Sequence, residues 1–233
     1  MSKIKNCLVT GASSGIGYAI AGHLLSEGHS VTVTARRRKR LESLKGVKVC
    51  SGDLTLPEFQ NELLTSISGN GDTCDYLFNC AGCIEVGTIE ELDIDQMAAM
   101  LRLNIEATFR LTYLFLKKCK QQGFGHIVNI SSVLGTKVRP TAGAYAASKF
   151  AIEALSEALR MELAGTPIHI SCIEPGLVMT ELHNRWKVHP KESMNIKEPL
   201  LASDIVEAVK FIMKQPAHVR VPRIMLLPKD HVI

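Results

Sequence analysis

A glycine-rich turn near the start of the chain reads Thr10-Gly11-Ala12-Ser13-Ser14-Gly15-Ile16-Gly17, with a short apolar run before it and a helical pattern after it. Glycines allow a tight turn and a close backbone approach, and the start of a helix presents free N–H groups and a positive dipole end. The stretch therefore predicts a cradle for the pyrophosphate of a dinucleotide. Its spacing lacks the Lys-Ser/Thr pair of a P-loop, which disfavours an NTPase.

Short apolar runs alternate with amphipathic stretches along nearly the whole chain. The apolar runs cover residues 7–10, 31–34, 47–50, 76–78, 127–130 and 168–173, and the helical patterns cover residues 18–26, 39–44, 57–67, 95–120, 144–163 and 203–214. Buried strands that alternate with helices indicate βαβ units with right-handed crossovers. We expect an α/β fold, in which a doubly wound, Rossmann-type parallel sheet of about seven strands is flanked by helices in a single domain over residues 1–233.

The composition excludes several classes of protein. The chain has 233 residues, of which 46% are hydrophobic and 21% charged, as expected of one large globular domain. A net charge of +4 is too small and too dispersed to indicate a nucleic-acid surface. We find neither a signal-peptide core nor an apolar run long enough to span a membrane. Seven scattered cysteines favour a reducing compartment, so we expect a cytoplasmic protein. We also expect no nucleic-acid partner, no membrane partner and no metal site.

A basic cluster, Ala35-Arg36-Arg37-Arg38, follows the second apolar run and contains no carboxylate. In a dinucleotide-binding fold, an acidic side chain at this point selects the free 2′-hydroxyl of the ribose, whereas an arginine selects the 2′-phosphate. Arg36, together with Arg37, therefore predicts NADP(H) as the cofactor. Asp53-Leu54, just past the third run, could receive the adenine, although an Asp in a turn commonly acts only as a local cap.

Tyr145 and Lys149 lie four residues apart in a helical pattern, which places them on one face. An ammonium beside a phenol favours the phenolate and moves its pKa from about 10 toward neutrality, which makes a usable general acid or base. Ser131-Ser132 follows the run 127–130, at the sheet edge where open α/β folds bind ligands. We expect these polar groups to converge beside the cofactor.

Together these motifs resemble the short-chain dehydrogenase/reductase family, over essentially the whole chain. The matching elements are Thr10 to Gly17, Asp53-Leu54, Asn79-Cys80-Ala81-Gly82, Asn104, Ser132, Tyr145-x-x-x-Lys149 and Pro175-Gly176. The resemblance implies that Tyr145 donates the proton and that Ser132 holds the carbonyl oxygen. It also implies that Lys149 lowers the tyrosine pKa and binds the nicotinamide ribose, while Asn104 holds a water in a proton relay.

The resemblance further implies a set of cofactor-binding residues and an assembly into a homodimer or homotetramer. The cofactor-binding residues are Gly11, Ser13, Ser14, Gly15, Ile16, Gly17, Arg36, Arg37, Asp53, Leu54, Asn79, Ala81, Gly82, Tyr145, Lys149, Pro175, Gly176, Val178 and Thr180. The family often has a second asparagine where this chain has Cys80, and we expect that change to leave hydride transfer intact.

Residues 179–201 form a long stretch without clear periodicity, which predicts a substrate lid. Residues 173–178, Thr180-Glu181 and residues 215–219 resemble the NADP-dependent 3-hydroxy acid (serine-type) dehydrogenases. In that branch an arginine follows Thr-Glu in the lid, and Arg185 occupies a comparable place. Its guanidinium suits a substrate carboxylate, but an exposed loop arginine is as often merely solvated. The substrate-binding residues expected are Ser132, Tyr145 and Arg185.

The predicted function is that of an NADP(H)-dependent oxidoreductase, which interconverts a small-molecule carbonyl and a primary or secondary alcohol by hydride transfer. The closer resemblance favours a small 3-hydroxy acid or its semialdehyde. Two alternatives stay open: a reductase of an uncharged ketone or aldehyde, and a nonenzymatic NADP(H)-sensing regulator on the same fold. The presence of Asn104, Ser132, Tyr145 and Lys149 together speaks against the regulator.

Overall fold

Seven parallel strands form a single sheet in the computed structural model, which describes residues 4–68, 73–184, 186 and 188–233. The strands are β1 Asn6–Thr10, β2 Ser30–Thr34, β3 Lys48–Val49, β4 Tyr76–Asn79, β5 Gly125–Ile130, β6 Ile168–Pro175 and β7 Arg223–Leu226. Their order across the sheet is β3-β2-β1-β4-β5-β6-β7. The order reverses between β1 and β4, so the predicted doubly wound Rossmann-type sheet is confirmed.

Helices cover both faces of the sheet. They are α1 Gly15–Ser26, α2 Arg38–Leu41, α3 Pro57–Ser68, α4 Ile94–Leu101, α5 Thr108–Gln122, α6 Gly143–Glu162, α7 Pro190–Ser193 and α8 Ala202–Met213. On one face Ile20 of α1 and Ile205 of α8 pack in a core with the strand residue Val33. On the other face Leu63 of α3 and Phe115 of α5 pack in a second core. Within the described ranges, no helix is both long and apolar enough to cross a bilayer.

The predicted elements differ from the observed ones mainly at the edges of the sheet. The third strand contains only Lys48–Val49, and the seventh, Arg223–Leu226, was not predicted although residues 224–227 are all apolar. Both are edge strands in which half of the residues are exposed, so burial marks them weakly. The helical pattern 95–120 is one helical rod with a π-helical turn at Arg102–Ala107, which separates α4 from α5.

The predicted lid, residues 179–201, leaves the sheet and returns to nearly the same place. Val178 and Leu200 form an isolated parallel bridge, and the Met179 N–H donates to the Leu200 carbonyl at 2.8 Å. Between these ends lie a 3-10 turn, Glu181–His183, and helix α7. The segment thus carries local structure that its lack of periodicity did not predict. Arg185, the predicted substrate residue within it, lies outside the described residues.

Thr10 fixes the glycine-rich turn against the end of β4. Its hydroxyl oxygen accepts the N–H groups of Cys80 at 3.1 Å and Ala81 at 3.0 Å. Gly11, in a left-handed conformation with φ of +65°, crosses Ala81 so closely that an added Cβ would lie 2.8 Å from the Ala81 nitrogen. A side chain at Gly11 therefore cannot be accommodated, and the hydroxyl of Thr10 bridges the two loops at this short spacing.

Thr10→Val should lower the free energy of unfolding by about 1–3 kcal/mol, because the part-buried N–H of Ala81 loses its acceptor and that of Cys80 keeps only the Phe78 carbonyl. Thr34, its register partner on β2, is a matched control: it is fully buried and its hydroxyl has no hydrogen-bond partner among the described residues. Thr34→Val should therefore be neutral or stabilising. Urea denaturation of both variants checks this expectation, and an equal loss in the two would contradict it.

Candidate active site

A cavity of about 1650 Å³ opens at the carboxyl edge of the sheet. Pockets for drug-sized ligands usually measure about 300–1,000 Å³, so this one has room for a dinucleotide beside a small substrate. Most of the predicted site residues line it. They are Gly11, Ser13, Ser14, Gly15, Ile16, Gly17, Arg36, Arg37, Asp53, Leu54, Ala81, Gly82, Ser132, Tyr145, Lys149, Pro175, Gly176, Val178 and Thr180.

The start of α1 forms one wall of this cavity. Gly17 lies in the first turn of the helix, and an added Cβ there would lie 2.7 Å from the Gly11 carbonyl oxygen. The turn is therefore closed as tightly as its backbone permits. The first N–H groups of a helix have no partner within the helix and lie at its positive end. Such a wall suits an anionic group, as the sequence predicted.

Arg37 reaches across the glycine-rich turn and is held there by several acceptors. Its Nε and Nη2 donate to Ser13 Oγ at 3.1 and 3.0 Å, and its Nη2 donates to Ser14 Oγ at 2.6 Å. Its Nη1 also pairs with Glu181 Oε2 at 2.9 Å, and the Arg40 guanidinium pairs with the same carboxylate. The sequence analysis missed Glu181, because 144 residues separate it from Arg37 and no local pattern joins them.

Asp53 makes the contacts of a local cap. Its Oδ1 accepts the Thr55 N–H at 2.9 Å and the Thr55 hydroxyl at 2.8 Å. The backbone hydrogen bond from Thr55 is the main cause that holds the pKa of Asp53 below its ordinary value, and the charge of Arg36 adds to it. The capping alternative therefore describes the observed contacts, although both Asp53 and Leu54 also line the cavity.

Asn79 is buried beneath the cavity and does not line it. Its Nδ2 donates to Thr112 Oγ1 at 3.2 Å and to Asn129 Oδ1 at 2.9 Å, and Asn129 in turn donates to Ser156 Oγ at 2.9 Å. This network joins β4 and β5 to the helices α5 and α6. The amide N–H groups of Asn79 are thus occupied in holding the sheet to its helices, and its role in binding the cofactor stays a prediction.

Asn104 lies in the π-helical turn, behind Gly82. Its Oδ1 accepts the Cys83 N–H at 3.1 Å, while its Nδ2 donates to the Cys83 carbonyl at 2.9 Å and to Ser148 Oγ at 3.2 Å. An added Cβ on Gly82 would lie 3.3 Å from Asn104 Oδ1 and 3.9 Å from Lys149 Nζ. Asn104 thus positions the loop after β4 and stands next to Lys149. Single π-helical turns are frequent at functional sites.

Ser132, Tyr145 and Lys149 converge at one point of the cavity wall. Ser132 caps the 3-10 turn Val133–Gly135, and its Oγ accepts the Leu134 N–H at 3.1 Å. Tyr145 and Lys149 are 7% and 8% exposed, one turn apart on α6. Lys149 Nζ donates to the Ile130 carbonyl at 2.9 Å and lies 5.9 Å from the centroid of the Tyr145 ring. The predicted convergence is therefore present.

The pKa of Tyr145 moves in the opposite direction from the one expected. Burial raises it to about 12, although a hydrogen bond with Ser132 and the positive charge of Arg139 act to lower it. Burial lowers the pKa of Lys149 to about 8. The ammonium bonds a backbone carbonyl instead of the phenol, so it does not offset the desolvation of the phenolate. Arg139, which the sequence analysis did not single out, supplies the nearby positive charge.

The glycine-rich cradle, the convergent Ser-Tyr-Lys group and the doubly wound sheet invite comparison with known proteins. A family model described as short chain dehydrogenase matches residues 5–191. The chain belongs to the short-chain dehydrogenase family. Among its relatives, an uncharacterized oxidoreductase of Staphylococcus epidermidis is 32% identical over 235 residues, which cover 98% of this chain and 100% of that protein. The chain is accordingly an oxidoreductase of this family.

Two solved dehydrogenases have closely similar structures. A closed form of serine dehydrogenase complexed with NADP⁺ aligns with a TM-score of 0.88 at 29% identity, over 94% of this chain and 93% of that one. A 4-hydroxyisoleucine dehydrogenase complexed with NADH aligns with a TM-score of 0.86 at 27% identity, over 96% and 97% of the two chains. Structures with both kinds of nicotinamide cofactor therefore share this fold.

Lys149→Met should remove a pH-dependent component of stability. The pKa of Lys149 is about 8 in the folded protein and near its ordinary 10.5 in the unfolded chain, so the unfolded chain binds more protons between these values. The wild type should therefore gain about 2 kcal/mol relative to the variant as the pH rises from 8 to 10. Urea denaturation at each pH measures this difference. Parallel stability profiles would contradict the lowered pKa, since both unfolded chains carry the same cysteines and Cys80, whose pKa burial raises to about 12 against the charge of Lys149, stays protonated in the folded protein over this range.

Proposed function

We propose that this oxidoreductase uses NADP(H) to interconvert a carbonyl and an alcohol by hydride transfer, with a small 3-hydroxy acid or its semialdehyde as substrate. The observation that carries the proposal is the convergence of Ser132, Tyr145 and Lys149 in the cavity whose opposite wall is the glycine-rich turn. The likeness to serine dehydrogenase complexed with NADP⁺ supports both the cofactor and the substrate class.

The residues at the adenosine end of the cavity fit NADP(H). The family alone leaves the cofactor open, because its members include a complex with NADP⁺ and one with NADH. In this chain, Arg36 and Arg37 line the cavity after β2, where a 2′-phosphate is read. The hydroxyls of Ser13 and Ser14 hold the Arg37 guanidinium over the turn, where a bound phosphate would compete with the Glu181 carboxylate for it.

Each catalytic residue has a stated task in the proposed reduction. Bound NADPH supplies the hydride. Tyr145 keeps its proton at neutral pH because its pKa is about 12, so its hydroxyl is ready to donate to the developing alkoxide. Ser132 Oγ, adjacent to that hydroxyl, holds the carbonyl oxygen in line. Lys149 stays charged below about pH 8 and is placed to bind the nicotinamide ribose.

Residues 179–201 fit the task of a lid over this cavity. Thr180 packs against the glycine-rich turn, 3.2 Å from where a Cβ on Gly15 would lie. Glu181 pairs with Arg37, and Trp186 lines the cavity with its ring set edge-on to His183. The segment therefore touches the cofactor cradle at its first residues and the substrate end farther along. Such segments close over ligands and exclude water from the reacting carbonyl.

Three further expectations stay as predictions: a cytoplasmic location, a small-molecule carbonyl or alcohol as partner, and a homodimer or homotetramer. Turnover measurements distinguish the two alternatives, an uncharged carbonyl substrate and a nonenzymatic NADP(H) sensor. A sensor binds NADPH but oxidises it with none of a panel of semialdehydes, ketones and quinones. A reductase of uncharged carbonyls turns over an aldehyde that carries a neutral ester as well as one that carries a carboxylate.

Tyr145→Phe should lower kcat for NADPH oxidation by a factor of about 10²–10⁴, because it removes the proton donor and keeps the ring. The affinity for NADPH, measured by fluorescence titration, should stay within about twofold of the wild type, which corresponds to a change in binding free energy of about 0.4 kcal/mol. Tyr113→Phe, at a half-exposed position of α5, is the matched control and should behave like the wild type. Undiminished turnover in Tyr145→Phe would contradict the role of Tyr145 as proton donor.

Arg37→Ala should raise the KM for NADPH about tenfold and leave the KM for NADH nearly unchanged, because only NADPH loses a charge-assisted contact. Arg38→Ala is the control, since Arg38 is exposed and pairs with Glu42 along its own helix. Glu181→Gln should lower the KM for NADPH, because the competing carboxylate on Arg37 is removed. Steady-state kinetics with both cofactors measure these KM values. Equal effects of Arg37→Ala on the KM for NADPH and for NADH would rule out a role of Arg37 in cofactor choice.

A further inference from the structure

Arg139 is a half-buried cation at the substrate end of the cavity. It lies in the loop between the 3-10 turn Val133–Gly135 and helix α6, and it lines the same cavity as Ser132 and Tyr145. Its Nη1 lies 3.0 Å from the sulfur of Met194. A thioether is a weak acceptor, so this contact replaces little of the hydration that the guanidinium loses on burial.

No carboxylate balances this charge within the part of the chain that the structure describes. The ion pairs found there occupy other cations, and none includes Arg139. A guanidinium that is partly desolvated and lacks an anion is unfavourable, and a charge in such a place is usually paired. Burial accordingly lowers the pKa of Arg139, although the group remains charged at neutral pH.

The ionisable groups electrostatically coupled to Arg139 are neutral at physiological pH. They are Tyr145, His183 and His231. Burial lowers the pKa of both histidines, to about 4 for His183, and the charge of Arg139 contributes in each case. The Nδ1 atoms of both rings are buried without a hydrogen-bond partner among the described residues. This end of the cavity therefore combines one uncompensated cation with two unsatisfied polar ring atoms.

We propose that Arg139 binds a carboxylate of the substrate whose carbonyl is held by Ser132 and Tyr145. This inference rests on the proposed function. It narrows the substrate to the aldehyde acids and keto acids. It assigns to Arg139 the carboxylate contact that the sequence analysis expected of Arg185. A guanidinium presents a planar fork of donors that can bind a carboxylate through two parallel hydrogen bonds. The carboxylate thereby supplies the counter-charge that Arg139 lacks.

The first experiment compares turnover of succinic semialdehyde with that of its methyl ester, which has the same carbonyl and no charge. Arg139→Gln should lower kcat/KM for the acid by about 10–100-fold and change that for the ester less than about threefold. Arg139→Lys should retain part of the activity with the acid, because it keeps the charge without the fork. Lys120→Gln, at an exposed cation of α5 that does not line the cavity, is the control and should leave both substrates unaffected.

The second experiment measures binding without turnover. Isothermal titration of malonate into the enzyme with NADP⁺ should give an affinity about 10–100-fold weaker in Arg139→Gln than in the wild type, with no loss in the control Lys120→Gln. The neutral diamide of malonate should bind all of these proteins alike. Arg185→Gln, assayed in parallel, should keep malonate affinity close to that of the wild type.

The two experiments separate the proposals. If the wild type turns over neither aldehyde, the proposed substrate fails, while the malonate titration still decides the role of Arg139. If malonate does not bind the wild type, or binds Arg139→Gln equally well, Arg139 does not bind a carboxylate. A loss confined to Arg185→Gln, or an equal loss of acid and ester turnover in Arg139→Gln, likewise overturns the assignment.

Discussion

The close packing of the glycine-rich turn on the end of β4 sets the geometry from which the rest of the site follows. Thr10 accepts the N–H groups of Cys80 and Ala81, and Gly11 crosses Ala81 with no space for a side chain. This contact lies where the strand order reverses, and that reversal opens the crevice at the carboxyl edge of the sheet. The helix start, the loop after β4 and the cavity between them all keep their positions relative to it.

Desolvation, more than charge pairing, determines the electrostatics of the cavity. Burial keeps the Tyr145 hydroxyl protonated, lowers the pKa of Lys149, and leaves Arg139 charged beside neutral rings. The described protein groups compensate these charges with a backbone carbonyl at Lys149 and a thioether at Arg139. Among the cations that line the cavity in the described part of the chain, only Arg37 has a carboxylate partner. The interior of the site is thus electropositive, as expected of a cavity that takes anionic ligands.

The elements that the sequence predicted well are those with strong local signals. Buried β-branched runs mark the central strands, and the four-residue spacing of Tyr145 and Lys149 places both on one face of α6. The edge strand Arg223–Leu226 was not predicted although residues 224–227 are apolar, because its only β-branched residue is Ile224 and half of the strand is exposed. A motif gives the place of Asn79 in the chain but not the direction of its side chain, which donates into the core.

The sequence by itself determined the fold class, the cradle and the residues that meet at the carboxyl edge, because periodicity and glycine spacing express local backbone physics. Tertiary structure alone decided which charges are paired and which are buried. Glu181 reaches Arg37 from 144 residues away, and Arg139 has no ion-pair partner among its described neighbours, which come from residues 179–201 and from near the C-terminal end of the chain. Desolvation depends on the atoms that surround a group in space, and the order of residues along the chain does not record them.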